Sequence, residues 1–274
     1  MIAWCDRLPE LCIQTIKFRL RPVSRAPGTS AGGGPVAHIQ RTSEAGTVKK
    51  LLNGIVDFRK NVRPEVKDTF ALLALGQAPD TLFIACSDSR VAANVFASTE
   101  PGDMFVIRNV GNLIPRYQEG TQAPHFAAEA AAIQFGLANL PITDVVVCGH
   151  SECGAMGALS QGEVGDDIPA FKCWLRHGED SLRKLEAGAR LGSHLERRNQ
   201  LSQLNVLEQL EHLETYPVVQ DRLAAGKLRL HGWYFDIKEA NVYEYEPGEE
   251  RFRVIDETYA ATLLKRVVAI DLDR

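Results

Sequence analysis

Leu82-Phe83-Ile84-Ala85-Cys86-Ser87-Asp88-Ser89-Arg90 and Val145-Val146-Val147-Cys148-Gly149-His150-Ser151-Glu152-Cys153-Gly154 follow one plan. Each opens on an unbroken apolar run of strand length and passes directly into a short stretch rich in groups that bind metals or protons. Unbroken runs, unlike alternating ones, mark strands covered on both faces, and Met104-Phe105-Val106-Ile107 reads as a third. Such strands belong to a parallel sheet flanked by helices. In an open sheet of this kind ligands bind beyond the carboxyl ends of the strands, so the two polar stretches are expected to converge.

The flanking sequence supplies the helices. Leu51, Leu52, Ile55, Val56 and Phe58 recur at helical spacing, and a second short helix follows Pro64 and stops before Gly76. Phe126, Ala130, Ile133 and Leu137 keep i, i+4, i+7, i+11 spacing up to Pro141, which makes the stretch between the second and third strands a βαβ crossover. Leucines 195, 201, 204, 207, 210 and 213 predict a long helix, Pro217 begins another, and Gly226 ends it. Leu228, Leu230 and Trp233-Tyr234-Phe235 then lead into a hairpin with Val242-Tyr243-Glu244-Tyr245. The expected fold is α/β: a single domain with a mostly parallel central sheet, one antiparallel edge strand near the C-terminus, and N-terminal helices packing on a partner chain.

Composition sets the outer limits. With 274 residues, 45% of them hydrophobic, the chain can bury a continuous core. A net charge of −4 argues against a nucleic-acid partner. No apolar run approaches the ~20 residues that cross a bilayer, so a soluble protein with no membrane partner is expected. Six irregularly spaced cysteines do not make a disulfide framework and fit a reducing compartment, the cytoplasm. Residues 1–44 stand apart: six basic side chains against three acidic ones, a net of +3, and the run Gly28-Thr29-Ser30-Ala31-Gly32-Gly33-Gly34-Pro35. They read as an extension unfit to pack, as an import segment (disfavoured by Asp6 and Glu10), or as a mis-assigned start. Residues 45–274 form the expected catalytic domain.

Cys86, His150 and Cys153 offer two thiolates and an imidazole, ligands that suit Zn²⁺ and leave its fourth position open. Either half alone is weak, since a lone buried cysteine is commonly a small core residue and His-x-x-Cys arises by chance. Together, each following a strand, they point to a catalytic metal site. Cys148 and Cys173 read as core residues. His125, His177, His194, His212 and His231 lack ligand spacing and read as exposed. Gly154 is either a helix-start glycine or one whose N–H lies near the metal. A nucleotide-binding module would need a glycine-rich loop after the first strand, where this chain has Cys-Ser-Asp-Ser-Arg.

The pair Cys86-x-Asp88-x-Arg90 and His150-x-x-Cys153 resembles the β-class carbonic anhydrases. The similarity runs from about Leu51 to Asp256 and takes in Glu100-Pro101-Gly102-Asp103, Arg108-Asn109-Val110-Gly111-Asn112 and His231-Gly232-Trp233. It implies reversible hydration of CO2 to bicarbonate and a proton by hydroxide on one Zn²⁺ per chain, in a homodimer or larger homo-oligomer. On that reading Asp88 accepts a hydrogen bond from the nucleophile and Arg90 holds Asp88 off the metal. Were Arg90 to release it, Asp88 could ligate zinc and close the site, so activity should rise from neutral to alkaline pH. The resemblance also places Phe105, Val110 and Phe135 along an apolar CO2 pocket and carries Gln77 across a dimer interface to the substrate. Tryptophans occur only at 4, 174 and 233, which fits the plant-type, non-allosteric pattern. Two other functions use the same residues: a zinc hydrolase acting on a CO2 analogue such as CS2, and a catalytically silent bicarbonate-binding protein.

Residues 1–44 contribute none of these groups. A chain truncated to start at Ala45 is expected to retain its metal, as measured by bound zinc per chain; loss of zinc on truncation would contradict the reading.

Overall fold

The computed structural model describes residues 47–119, 128–162, 164–192 and 194–272. The chain divides into two units, 1–56 and 57–274. The described residues of the first, 47–56, lie in the helix α1 (Thr47–Asp57), exposed along its described side chains. The second unit opens with one π-helical turn, Phe58–Val62, and α2 (Arg63–Leu73), started by Pro64 and without a buried residue.

Six strands then form one sheet: β1 (Thr81–Cys86), β2 (Met104–Asn109), β3 (Asp144–His150), β4 (Arg229–Asp236), β5 (Asn241–Glu246) and β6 (Arg251–Val254), in the order β2-β1-β3-β4-β5-β6. The first four are parallel. The expected antiparallel strand is β5, but it is not the edge, because β6 pairs outside it. Between β1 and β2 lies the single turn α3 (Ala93–Phe96); α4 (Ala128–Asn139) crosses from β2 to β3. The long connection from β3 to β4 holds α5 (Gly154–Gln161), α6 (Pro169–Leu175), α7 (Glu179–Glu186), α8 (Arg197–Leu213) and α9 (Pro217–Ala224); α10 (Glu257–Leu272) follows β6.

Alternation along β1 and β3 explains their unbroken apolar runs. Leu82, Ile84, Val145 and Val147 face Ile133 and Leu137 of α4, Val206 and Leu213 of α8, and Val219 of α9. Phe83, Ala85, Val146 and Cys148 point to the other side, with Val91, Ala93 and Phe235. The same expectation fails for β2, an edge strand whose Val106 remains 39% exposed. Of the predicted α4 stripe, Ala130, Ile133 and Leu137 are buried and Phe126 lies outside the described residues. Pro141 disfavours helical geometry in the residue before it, and α4 stops at Asn139. Leu195 precedes α8 instead of joining it.

Two further expectations are overturned. Cys148 is core, but Cys173 is exposed, because the inward side of the short α6 is occupied by Leu175. The histidines are not uniformly exposed: His212 is 3% exposed, His177 is half-buried, and His231 is held between carboxylates.

Burial opposes a charge on His231, but its two ring nitrogens face Asp144 and Glu244, each at 2.9 Å, and these contacts lift its pKa to about 9. Asp144 is also gripped in two places by Arg229, so the cluster ties β3, β4 and β5 together at one end. A pKa raised on folding gives stability that is complete below the unfolded value, about 6.5, and lost as pH rises through about 9. His231→Gln is therefore expected to cost about 1–3 kcal/mol near pH 6, and the gap from the parent in urea unfolding should narrow toward pH 10. A gap independent of pH would contradict the charged pair.

Candidate metal centre

Strand order places the site. The chain leaves β1 toward β2 on one side, and β1's other neighbour is β3, whose own connection departs toward β4. Loops leaving in opposite directions open a crevice at the carboxyl ends of β1 and β3, the usual ligand position in such sheets. Ala85 is in register with Cys148, so Cys86 and His150 emerge at the lip of that crevice. Cys153 arrives from the next turn as the N-cap of α5. The sulfurs of Cys86 and Cys153 and a ring nitrogen of His150 lie within 4.8 Å of one another. Cys86 is 5% exposed, and His150 and Cys153 are fully buried.

The protonation pattern suits a cation. His150 Nδ1 donates to the Ser151 carbonyl at 2.8 Å, which leaves Nε2 as a bare lone pair, and this buried atom has no hydrogen-bond partner among the described residues. The Cys86 thiol is drawn well below its usual value, chiefly by the Cys153 side chain against the cost of burial, with help from the N–H groups of Gly111 and Asp88. Those two N–H groups lie 3.3 and 3.4 Å from its sulfur. Cys153 is pushed up, first by the neighbouring Cys86 sulfur and then by burial, although the N–H groups of Met156 and Ala155 at the start of α5 draw it down. Two thiolates side by side need a divalent cation between them, and an orphaned imidazole nitrogen completes a set of the composition zinc takes.

Asp88 stands clear of that set. Arg90 grips it with Nε to Oδ1 at 2.9 Å and Nη2 to Oδ2 at 2.7 Å, and the Arg90 N–H adds a third bond to Oδ1. This contact, foremost, holds the carboxyl well below the usual carboxylate range, so Asp88 is an acceptor throughout the neutral range. Arg90 Nη2 also donates to the Glu152 carbonyl, joining the first loop to the second. Glu152, given no role by the sequence, holds that turn: its backbone sits at φ +59°, and its side chain and N–H are clasped by Asn199, with an ion pair to Arg198. Arg108, visible in sequence only as part of a family motif, donates to the carbonyls of Cys86 and Asp88 and pins the first loop.

The remaining candidates divide. Val110 follows β2, half-exposed, with its carbonyl accepting from the Trp174 indole, and Gly154 is the exposed first residue of α5 beside Cys153. Phe105 is in register with Leu82, four residues or about 13 Å along the strand from the Cys86 level, and Phe135 packs on Phe105 with ring centroids 5.9 Å apart. Gln77 is exposed before β1, at the strand's other end. Within one chain, therefore, Gln77, Phe105 and Phe135 do not join the Cys-His-Cys cluster.

A βαβ sheet with a two-cysteine, one-histidine set at its switch point defines a candidate metalloprotein, and comparison with known proteins narrows it. Residues 81–242 match the family described as carbonic anhydrase. The carbonic anhydrase of Pseudomonas aeruginosa is 38% identical over 205 residues, covering 75% of this chain and 90% of that one. Among solved structures, the β-carbonic anhydrase CcaA superposes with a TM-score of 0.70 at 37% identity, covering 77% of this chain and 92% of its own. One of two tetrameric β-carbonic anhydrases from Sordaria macrospora gives a TM-score of 0.59 at 30% identity, covering 72% and 96%. The chain belongs to the carbonic anhydrase family, in its β class.

Proposed function

We propose that this protein catalyses the reversible hydration of CO2 to bicarbonate and a proton, with one Zn²⁺ per chain held by Cys86, His150 and Cys153. The observation that carries the reading is the separation of roles among charged groups in one crevice: three buried soft or borderline donors face one another, while the nearby carboxylates are held by other partners, Asp88 by Arg90 and Glu152 by Asn199 and Arg198. Bound there, zinc supplies Lewis acidity that makes water a nucleophile near neutral pH.

The chain's own groups do the rest. Asp88, fixed as an anion, can only accept, so it would accept a hydrogen bond from the attacking oxygen and leave a lone pair of that oxygen turned toward CO2. Arg90 keeps that carboxylate oriented and prevents it from becoming a fourth ligand. The Gly154 N–H offers a donor beside Cys153. CO2 is small and apolar, and Val110, with Phe105 and Phe135, provides walls that offer water no hydrogen bonds with which to displace it. Gln77, Phe105 and Phe135 serve the site only if a second copy brings them to it. A homodimer or larger homo-oligomer is supported by Phe58, Val62, Phe70, Leu72 and Leu75, all exposed along and just after the first helices of the second unit. Among the described residues no helix is long and apolar enough to cross a membrane. We place the protein in the cytoplasm, where free thiols persist.

The test is stopped-flow CO2 hydration on metal-quantified protein. About one zinc per chain and a rate that rises from pH 7 to pH 9 are expected. Asp88→Asn and Arg90→Ala should each lower kcat/KM by about tenfold or more with zinc unchanged. Full zinc without hydration at alkaline pH would leave a bicarbonate-binding protein; parent-like rates in Asp88→Asn would remove the carboxylate's role.

A further inference from the structure

Helix α8 carries a row of buried polar side chains that the reaction above does not use. Ser202, Asn205, Gln209 and His212 recur every three or four residues, hence on one side of the helix, and all four are buried. A buried polar side chain is costly unless it is paired, and each of these is paired to the backbone of a segment that carries or touches a metal-binding side chain. Ser202 Oγ donates to the His150 carbonyl at 2.8 Å. Asn205 Nδ2 donates to the Gly111 carbonyl at 3.2 Å, and the N–H of the same Gly111 donates to Cys86 Sγ at 3.3 Å. Gln209 accepts from the Ile114 N–H at 2.7 Å, and His212 Nδ1 donates to the Ile114 carbonyl at 2.6 Å.

The orientation of Asn205 is itself determined. Its Oδ1 receives Gln209 Nε2 at 3.0 Å and the Ser181 hydroxyl at 3.3 Å, so the amide nitrogen is the end turned to Gly111. Two glycines permit the approach. A Cβ at Gly149 would meet Val206 Cγ2 at 2.7 Å and the Ser202 carbonyl at 3.2 Å, so α8 lies directly against the end of β3. Gly111 has φ +87°, and a Cβ there would meet the Ala155 Cβ at 2.9 Å.

We infer that α8 is the ruler that sets the Cys86 sulfur relative to the His150 ring. Asn205 is a positioning residue acting on Cys86 through the two peptide groups that meet at Gly111, and Ser202 is a positioning residue acting on His150 through its carbonyl. The inference rests on the reading of Cys86, His150 and Cys153 as metal ligands. Its physical content is that an N–H aimed at a thiolate withdraws charge from sulfur and fixes its direction, so outer partners tune how firmly a metal is held.

The test replaces zinc with Co²⁺ and records the near-ultraviolet thiolate-to-cobalt charge-transfer band, together with the rate of zinc transfer to a chromophoric chelator. Asn205→Ala is expected to move the band to lower energy, and both Asn205→Ala and the smaller change Ser202→Ala to release zinc about tenfold faster. Tyr216→Phe is the control: it removes a bond of the same kind, from Tyr216 Oη to the Pro115 carbonyl at 2.9 Å, on the same loop but away from the sulfur. It should leave band and release rate as in the parent. Parent-like release in both alanine variants, or equal changes in Tyr216→Phe, would overturn the inference and leave α8 a packing element. A parent protein showing no charge-transfer band would instead overturn the metal reading, and this inference with it.

Discussion

Two sulfurs and an imidazole meet where almost no water reaches, and the protein does not neutralise them. Cys86 draws its low pKa from a neighbouring thiol and backbone N–H groups, Cys153 cannot ionise easily beside it, and His150 Nε2 has no donor. Such a set is unfavourable without a cation and strongly favourable with one. The need to hold three candidate ligands in one place accounts for much of the surrounding architecture. A parallel sheet brings two strand ends to a shared crevice, a helix start delivers the third ligand, and Arg108, Glu152 and α8 stitch the loops to the body of the domain.

The same constraint explains how Asp88 can sit two residues from a ligand without becoming one. A carboxylate in that position is a natural fourth donor, and what opposes it is geometric: Arg90 uses two of its donors on Asp88 and another contact on the Glu152 carbonyl. The opposing loop thus helps to keep the Asp88 carboxylate apart from Cys86, His150 and Cys153. Lysine in place of Arg90 could match the charge but not the two-pronged contact.

The strands with both faces covered were legible in the sequence because burial leaves an unbroken apolar run, and so was the convergence of Cys86, His150 and Cys153, because they follow two of those runs. The edge position of β2 was not, since Met104-Phe105-Val106-Ile107 looks the same whether or not Val106 has a cover. The leucines announced α8 but not the polar row between Leu201 and Leu213. Ser202, Asn205, Gln209 and His212 are buried there because their partners are loop carbonyls and N–H groups seventy or more residues earlier, or the end of β3. His231 read as exposed for a related reason: Asp144 and Glu244 reach it only through strand pairing. Gln77, Phe105 and Phe135 came from resemblance alone, and a single chain leaves them away from the metal ligands.

The central claim is that Cys86, Cys153 and His150 hold one zinc while Asp88 remains with Arg90. X-ray absorption at the zinc edge, on protein carrying about one zinc per chain, tests the ligand set most directly. The account predicts two sulfur scatterers at about 2.3 Å and two nitrogen or oxygen scatterers at about 2.0 Å, one showing the outer-shell pattern of an imidazole. It further predicts that Cys86→Ser and Cys153→Ser each remove one sulfur, while Asp88→Asn leaves the nearest shell unchanged. A zinc shell with one, three or four sulfurs, or one whose sulfur count survives both cysteine changes, would contradict it.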